Sequence, residues 1–273
     1  MPGETELADF YSTGEDTLEN SGSWTMAKDY ERSPHAVATF YMRSRIRLLR
    51  RLGVITDRDQ RILDLGCSTG MFLRVLKDQG FTSLVGQELS SEQSEYCSSV
   101  HGVEMVTSLK DLSDSSIDLV TAYAVLEHLP RPTDVLAEVF RVLKPGGCLA
   151  IDVPNSKSFY ESLTRQKWLW LIPPAHLQYF TFRSLRRVLG DRGFGIRYAR
   201  TLSTSSYLFI IAYHFALLTR RSLPDTSLTE NWIRRNLIWV VEKLIRLSLS
   251  PISAVARLSN RHNQLIFVAQ KPS

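Results

Sequence analysis

The chain has little cysteine. Cys67, Cys97 and Cys148 are all that 273 residues contain. Three cysteines cannot build a disulfide framework, and each falls in an expected core element, which points to a reducing compartment and a cytoplasmic setting. No Cys and His residues stand at zinc spacing, so no metal site is expected. No apolar run reaches the ~18–20 residues of a membrane-spanning helix. The first residues are acidic and polar, without the basic start and apolar centre of a signal peptide. No recognised nucleic-acid motif accompanies the basic residues, so no nucleic-acid partner is expected.

What is present is ordinary for a globular protein: 44% hydrophobic residues, 22% charged residues and a formal charge of +5. The positive excess reads either as a solvated Arg-rich surface or as attraction to an anionic membrane or an acidic substrate.

The richest stretch is Arg61-Ile62-Leu63-Asp64-Leu65-Gly66-Cys67-Ser68-Thr69-Gly70-Met71-Phe72-Leu73. Ile62, Leu63 and Leu65 suit a buried parallel strand. Gly66 and Gly70 bracket a loop that backbone can bring close to a ligand. The apolar-periodic run from Met71 opens a helix whose N-terminus points into that loop. A pyrophosphate loop would read G-x-G-x-x-G, and the third glycine is missing. Asp64 at the strand end repels a pyrophosphate but attracts an ammonium group. Glu88 ends the next apolar strand, about 20 residues past the glycine turn, where an acid accepts hydrogen bonds from ribose hydroxyls.

These residues resemble motif I of the class I S-adenosylmethionine (SAM) dependent methyltransferases, D/E-x-G-x-G-x-G, with Ser68 in place of the middle glycine. Further stretches are similar to that family: Ile117-Asp118-Leu119-Val120, Ala124-Val125-Leu126-Glu127-His128-Leu129, and Arg141-Val142-Leu143-Lys144-Pro145-Gly146-Gly147. Pro173-Pro174-Ala175-His176-Leu177-Gln178-Tyr179-Phe180-Thr181 resembles the P-x-H-L-x-Y-F-T stretch of a subgroup acting on small molecules. The resemblance covers about residues 60–200. It implies SAM as cofactor, held by Asp64, Gly66, Cys67, Ser68, Gly70, Phe72, Glu88, Leu89, Ser108, Leu109 and Tyr123. Ser108 and Leu109 would contact the adenine. Tyr123 and Trp168 are also candidates for the acceptor pocket, and Cys67 reads as small and buried rather than nucleophilic.

Alternating strands and helices over 60–153 predict a doubly wound, Rossmann-like sheet of seven strands. It is mostly parallel with an antiparallel last strand. An N-terminal arm and helical cap occupy 1–55, with a helix from about Pro34 to Leu52. The SAM-binding core takes 56–203, and 263–273 supplies its last strand. Thr133 is the expected cap of a helix over Thr133–Leu143, which Lys144-Pro145-Gly146-Gly147 stops. Residues 204–262 form a helical insertion, read three ways: a lid, a homodimer interface, or an element on a membrane surface. Its apolar helix over Tyr207–Leu218 would be about 18 Å long, too short to cross a bilayer.

Moving a methyl group from a sulfonium to a hydroxyl requires in-line positioning and removal of a proton. His128 and His176 follow the fourth and fifth strands, at the carboxyl edge where the methyl would lie, and are the candidate general bases. Glu127 could instead orient a loop. The sequence therefore reads as a SAM-dependent methyltransferase. Its acceptor is a small molecule, hydrophobic or lipid-linked, methylated on oxygen, and the enzyme is cytoplasmic or peripheral to a membrane's inner face. A nicotinamide-dependent oxidoreductase and an inactive SAM-binding scaffold are the alternatives.

Overall fold

The computed structural model describes residues 37–202 and 259–273. Most of the insertion expected at 204–262 and the arm before residue 37 lie outside the described residues. Helix α1 (Val37–Arg51) leads into strand β1 (Ile62–Leu65), α2 (Met71–Lys77), β2 (Leu84–Gln87), α3 (Ser91–His101) and β3 (Glu104–Val106). Then come β4 (Ile117–Tyr123), α4 (Pro132–Val142), β5 (Leu143–Pro154), α5 (Phe159–Thr164), α6 (Phe182–Asp191), β6 (Gly195–Leu202) and β7 (Gln264–Gln270). The seven strands make one sheet in the order β3-β2-β1-β4-β5-β7-β6. Neighbours are parallel from β3 to β5, and β7 runs antiparallel to both β5 and β6. The expected sheet is the one found.

Alternation along each strand divides the core between two faces. Leu63, Val120, Leu149 and Phe267 join α4 and α6 through Leu136, Val139, Leu185 and Leu189. Their neighbours Ile62, Leu119, Ala150 and Val268 join α1 and α2 through Ile46, Leu49, Leu73 and Leu76. Both faces are covered by helices, so the central strands are apolar on both sides. A polar residue inside such a strand is then a marked feature, and two of them, Asp64 and Asp152, stand near the carboxyl edge.

One local expectation needs correction. Thr133 is not the cap of α4: Arg131 takes that position and Pro132 opens the helix, since proline's fixed φ and missing N–H suit the first turn. Lys144-Pro145-Gly146-Gly147 does follow the end of the helix, at Val142, and β5 runs through it from Leu143. Gly147 is needed there, as an added Cβ would sit 2.9 Å from the Lys144 carbonyl oxygen and 3.2 Å from that of Asp118.

Helix α6 is capped by Thr181, whose hydroxyl accepts from the Ser184 amide while the Ser184 hydroxyl accepts from the Thr181 amide. This reciprocal cap anchors the helix directly after the loop that carries His176. Thr181→Ala is expected to cost about 1 kcal/mol. In a thermal melt that is a fall of roughly 2–4 °C.

Candidate active site

The carboxyl edge of β1, β2, β4 and β5 gathers the expected residues. The loop after β1 is bent by three left-handed residues, Gly66 (φ +62°), Ser68 (φ +51°) and Gly70 (φ +79°). Ser68, standing where the family pattern has glycine, adopts the backbone that a glycine would. Its amide donates to Glu88 Oε2 at 2.9 Å, which closes the loop against the end of β2. The other Glu88 oxygen accepts from the amides of Leu89 and Ser90 at 2.8 and 3.0 Å. The two features singled out by spacing, the loop and its downstream acid, thus meet.

Asp64 is 5% exposed, and Thr121 on the neighbouring strand donates to it at 2.6 Å. Burial, opposed by that hydroxyl and aided by the Glu88 charge, pushes its carboxyl up to about 7. Ionisation of Asp64 is therefore costly until a cation arrives, and an ammonium group beside it would lower its pKa. Because the folded value lies above the ordinary one near 3.9, this carboxyl withdraws stability as pH rises from about 4 to about 7. Its affinity for a cation changes the opposite way. SAM binding is expected to strengthen with pH up to about 7, by as much as tenfold per unit, with proton uptake by buffer. In Asp64→Asn it should be weaker and flat over the same range. Calorimetric titrations in two buffers check both points.

The remaining candidates divide. Phe72 is 2% exposed and meets Tyr123 edge-on, ring centroids 5.3 Å apart, so this pair supports the loop from below. Cys67 is buried, with its sulfur against Gly86, where an added Cβ would lie 2.9 Å away. Ser108 caps the short helix Leu109–Asp111 at the end of β3, with Leu109 buried. Leu89 is 60% exposed beside Glu88. Trp168 is buried and tilted against Tyr179 at 6.2 Å.

His128 and His176 come together, ring centroids 4.7 Å apart and edge to face. The two loops that carry them are stitched. The Glu127 carbonyl accepts from the amides of Leu177 and Gln178 at 2.8 and 2.9 Å. His128 Nδ1 lies 2.8 Å from the Ala175 carbonyl oxygen, and His176 Nδ1 lies 2.8 Å from that of Trp170. Facing carbonyls, both Nδ1 atoms carry the proton, which puts each lone pair on Nε2. Burial lowers the pKa of both rings, and the neighbouring His128 helps bring His176 down to about 4. Both are neutral near pH 7.

Three residues escaped the sequence reading. Arg45 of α1 reaches Asp152 of β5, and Tyr41 donates to the same carboxylate oxygen. Arg45 is 3% and Asp152 2% exposed. This triad, with Tyr41 half-buried, fastens α1 over the carboxyl edge next to Asp64 and Tyr123. Two signals were available: Asp152 interrupts an apolar strand, and Tyr41 and Arg45 share a helix face at i, i+4 spacing.

A family model described as a methyltransferase domain matches residues 35–199. The chain belongs to this methyltransferase family. Its cofactor is SAM. Among curated proteins it is similar to the ubiquinone biosynthesis O-methyltransferase of Idiomarina loihiensis, 28% identical over 137 residues, covering 45% of this chain and 52% of that one. The protein of that name from Hahella chejuensis is 29% identical over 140 residues, covering 45% and 58%. The chain thus spans about half the length of the curated relatives it matches. Among solved structures it resembles a SAM-dependent methyltransferase from Archaeoglobus fulgidus, with a TM-score of 0.55 and 20% identity over 84% of this chain and 94% of that one. The Haemonchus contortus phosphoethanolamine N-methyltransferase 2, solved with SAM, gives 0.55 and 18% over 85% and 53%. At such identities these two establish the fold alone.

Proposed function

We propose that this methyltransferase transfers the methyl group of SAM to an oxygen atom of a small-molecule acceptor. The observation that carries the reading is the His128–His176 pair, neutral and joined at the sheet edge beside the cofactor loop. In the reaction the acceptor oxygen attacks the methyl carbon in line with the sulfur, and the sulfur leaves with the bonding pair. The hydroxyl proton passes to an imidazole Nε2. The cofactor end is set by Asp64, the glycine loop and Glu88, so positioning supplies much of the rate.

The curated relatives named for ubiquinone biosynthesis favour a phenolic hydroxyl on an acceptor with an apolar tail. That agrees with the hydrophobic or lipid-linked acceptor read from the sequence. No helix among the described residues is long and apolar enough to cross a membrane. A peripheral association, a homodimer and a lid therefore rest on the 204–262 insertion. The test is methyl transfer from labelled SAM to catechols with and without a prenyl tail, with an amine of the same skeleton as control. Labelling of the catechols and not the amine supports the reading, and labelling of the amine alone overturns it. The scaffold alternative predicts SAM binding with no transfer to any acceptor.

A further inference from the structure

We propose that Glu127, His128 and His176 form a binding site for a divalent metal ion of the zinc, cobalt or manganese class. One carboxylate oxygen of Glu127 and one ring nitrogen from each histidine lie within 4.8 Å of one another. Metal bonds of about 2.0–2.2 Å in a tetrahedral site place ligand atoms roughly 3.4 Å apart. Side-chain rotations of about an ångström would therefore close this set around an ion. Two imidazoles and one carboxylate form a borderline-soft donor set, which suits zinc, cobalt or manganese better than magnesium or calcium.

Three observations point to a ligand rather than to packing. First, Glu127 is 2% exposed, and its Oε2 has no hydrogen-bond partner. A buried, unpartnered carboxylate oxygen is costly, and a bound cation would offset that cost. Second, each histidine turns Nδ1 to a backbone carbonyl, of Ala175 and of Trp170. Metal-binding histidines are oriented in this way by their outer partners, with the coordinating nitrogen aimed at the ion. Third, the ligands come from two loops fastened by the Glu127 carbonyl, so the set is pre-organised. The Trp170 ring also stacks on His176 at 6.3 Å and 13°, which fixes the plane of that imidazole. Spacing rules did not reveal the site, because His176 joins Glu127 and His128 from a loop remote in sequence.

Three protein ligands leave a coordination position open, as in catalytic zinc sites. An acceptor hydroxyl bound there would be acidified and would lose its proton to water. Loaded, the cluster would thus act through the ion rather than through an imidazole as base. The site's place beside the transferred methyl rests on the methyltransferase reading, whereas ion binding does not.

The test uses the untagged full chain, dialysed against a chelator. It is titrated with zinc chloride by calorimetry and with cobalt chloride by visible absorption. One equivalent per chain is expected, with the cobalt spectrum of a site of low coordination number. In Glu127→Gln and His176→Gln the affinity should fall at least 100-fold, beyond the 10–100-fold loss typical of outer partners. Thermal melts confirm that both variants are folded. Folded wild-type protein that takes up neither ion, or variants that bind as tightly as wild type, overturn the proposal. Uptake through these residues by protein that binds no SAM would refute the cofactor reading and leave the metal site standing.

Discussion

Gly70→Ala is expected to abolish SAM binding and to cost roughly 2–5 kcal/mol of stability. Two effects add. Gly70 has φ +79°, where an L-residue pays about 1–2 kcal/mol. An added Cβ would also lie 2.3 Å from Cys97 Sγ and 3.2 Å from His101 Cδ2. Cys97 is fully buried on α3, so it cannot swing aside without opening the core, and overpacking of this kind costs about 1–3 kcal/mol. Against a total stability of about 5–15 kcal/mol the loss is severe. Denaturant melts and calorimetry with SAM measure both parts. Adding Cys97→Ala to Gly70→Ala should restore the overpacking portion and leave the backbone portion. If Gly70→Ala alone binds SAM normally, the loop is not the tight element described.

Replacing either His128 or His176 by Ala is expected to lower kcat about 10²–10⁴-fold, the range for a positioned proton acceptor. The affinity for SAM should stay within a factor of two or three. The rings touch and their loops are tied together, so the pair acts as one unit. The double variant should be little worse than the poorer single variant, as happens when residues serve one step. Additive losses would instead mean two separate roles. Unchanged turnover in the double variant removes the histidines from the chemistry altogether.

Much of this was written in local sequence. The apolar runs gave the strands, and Gln264–Gln270 is the expected last strand, paired between β5 and β6. Asp64, the glycine turn and Glu88 are close enough in sequence for spacing alone to bring them to one edge, and the Ser68–Glu88 hydrogen bond joins them. What was not legible depends on contacts between distant residues. Arg45 is one of five arginines on α1, and only the packing of α1 on β5 makes it the buried partner of Asp152. Glu127 read as a residue that orients a loop. Its backbone carbonyl does tie the two loops, while its carboxylate turns inward to the histidines. The cap of α4 was misplaced because a proline at the first turn competes successfully with a threonine one position later.

The most direct test of the account is calorimetric titration of the folded chain with SAM, and separately with NAD, beside Asp64→Ala and Glu88→Ala. One SAM per chain is expected, with weaker binding in both variants and no heat with NAD. Absence of SAM binding by folded wild-type protein, or SAM binding untouched by both replacements, would contradict it.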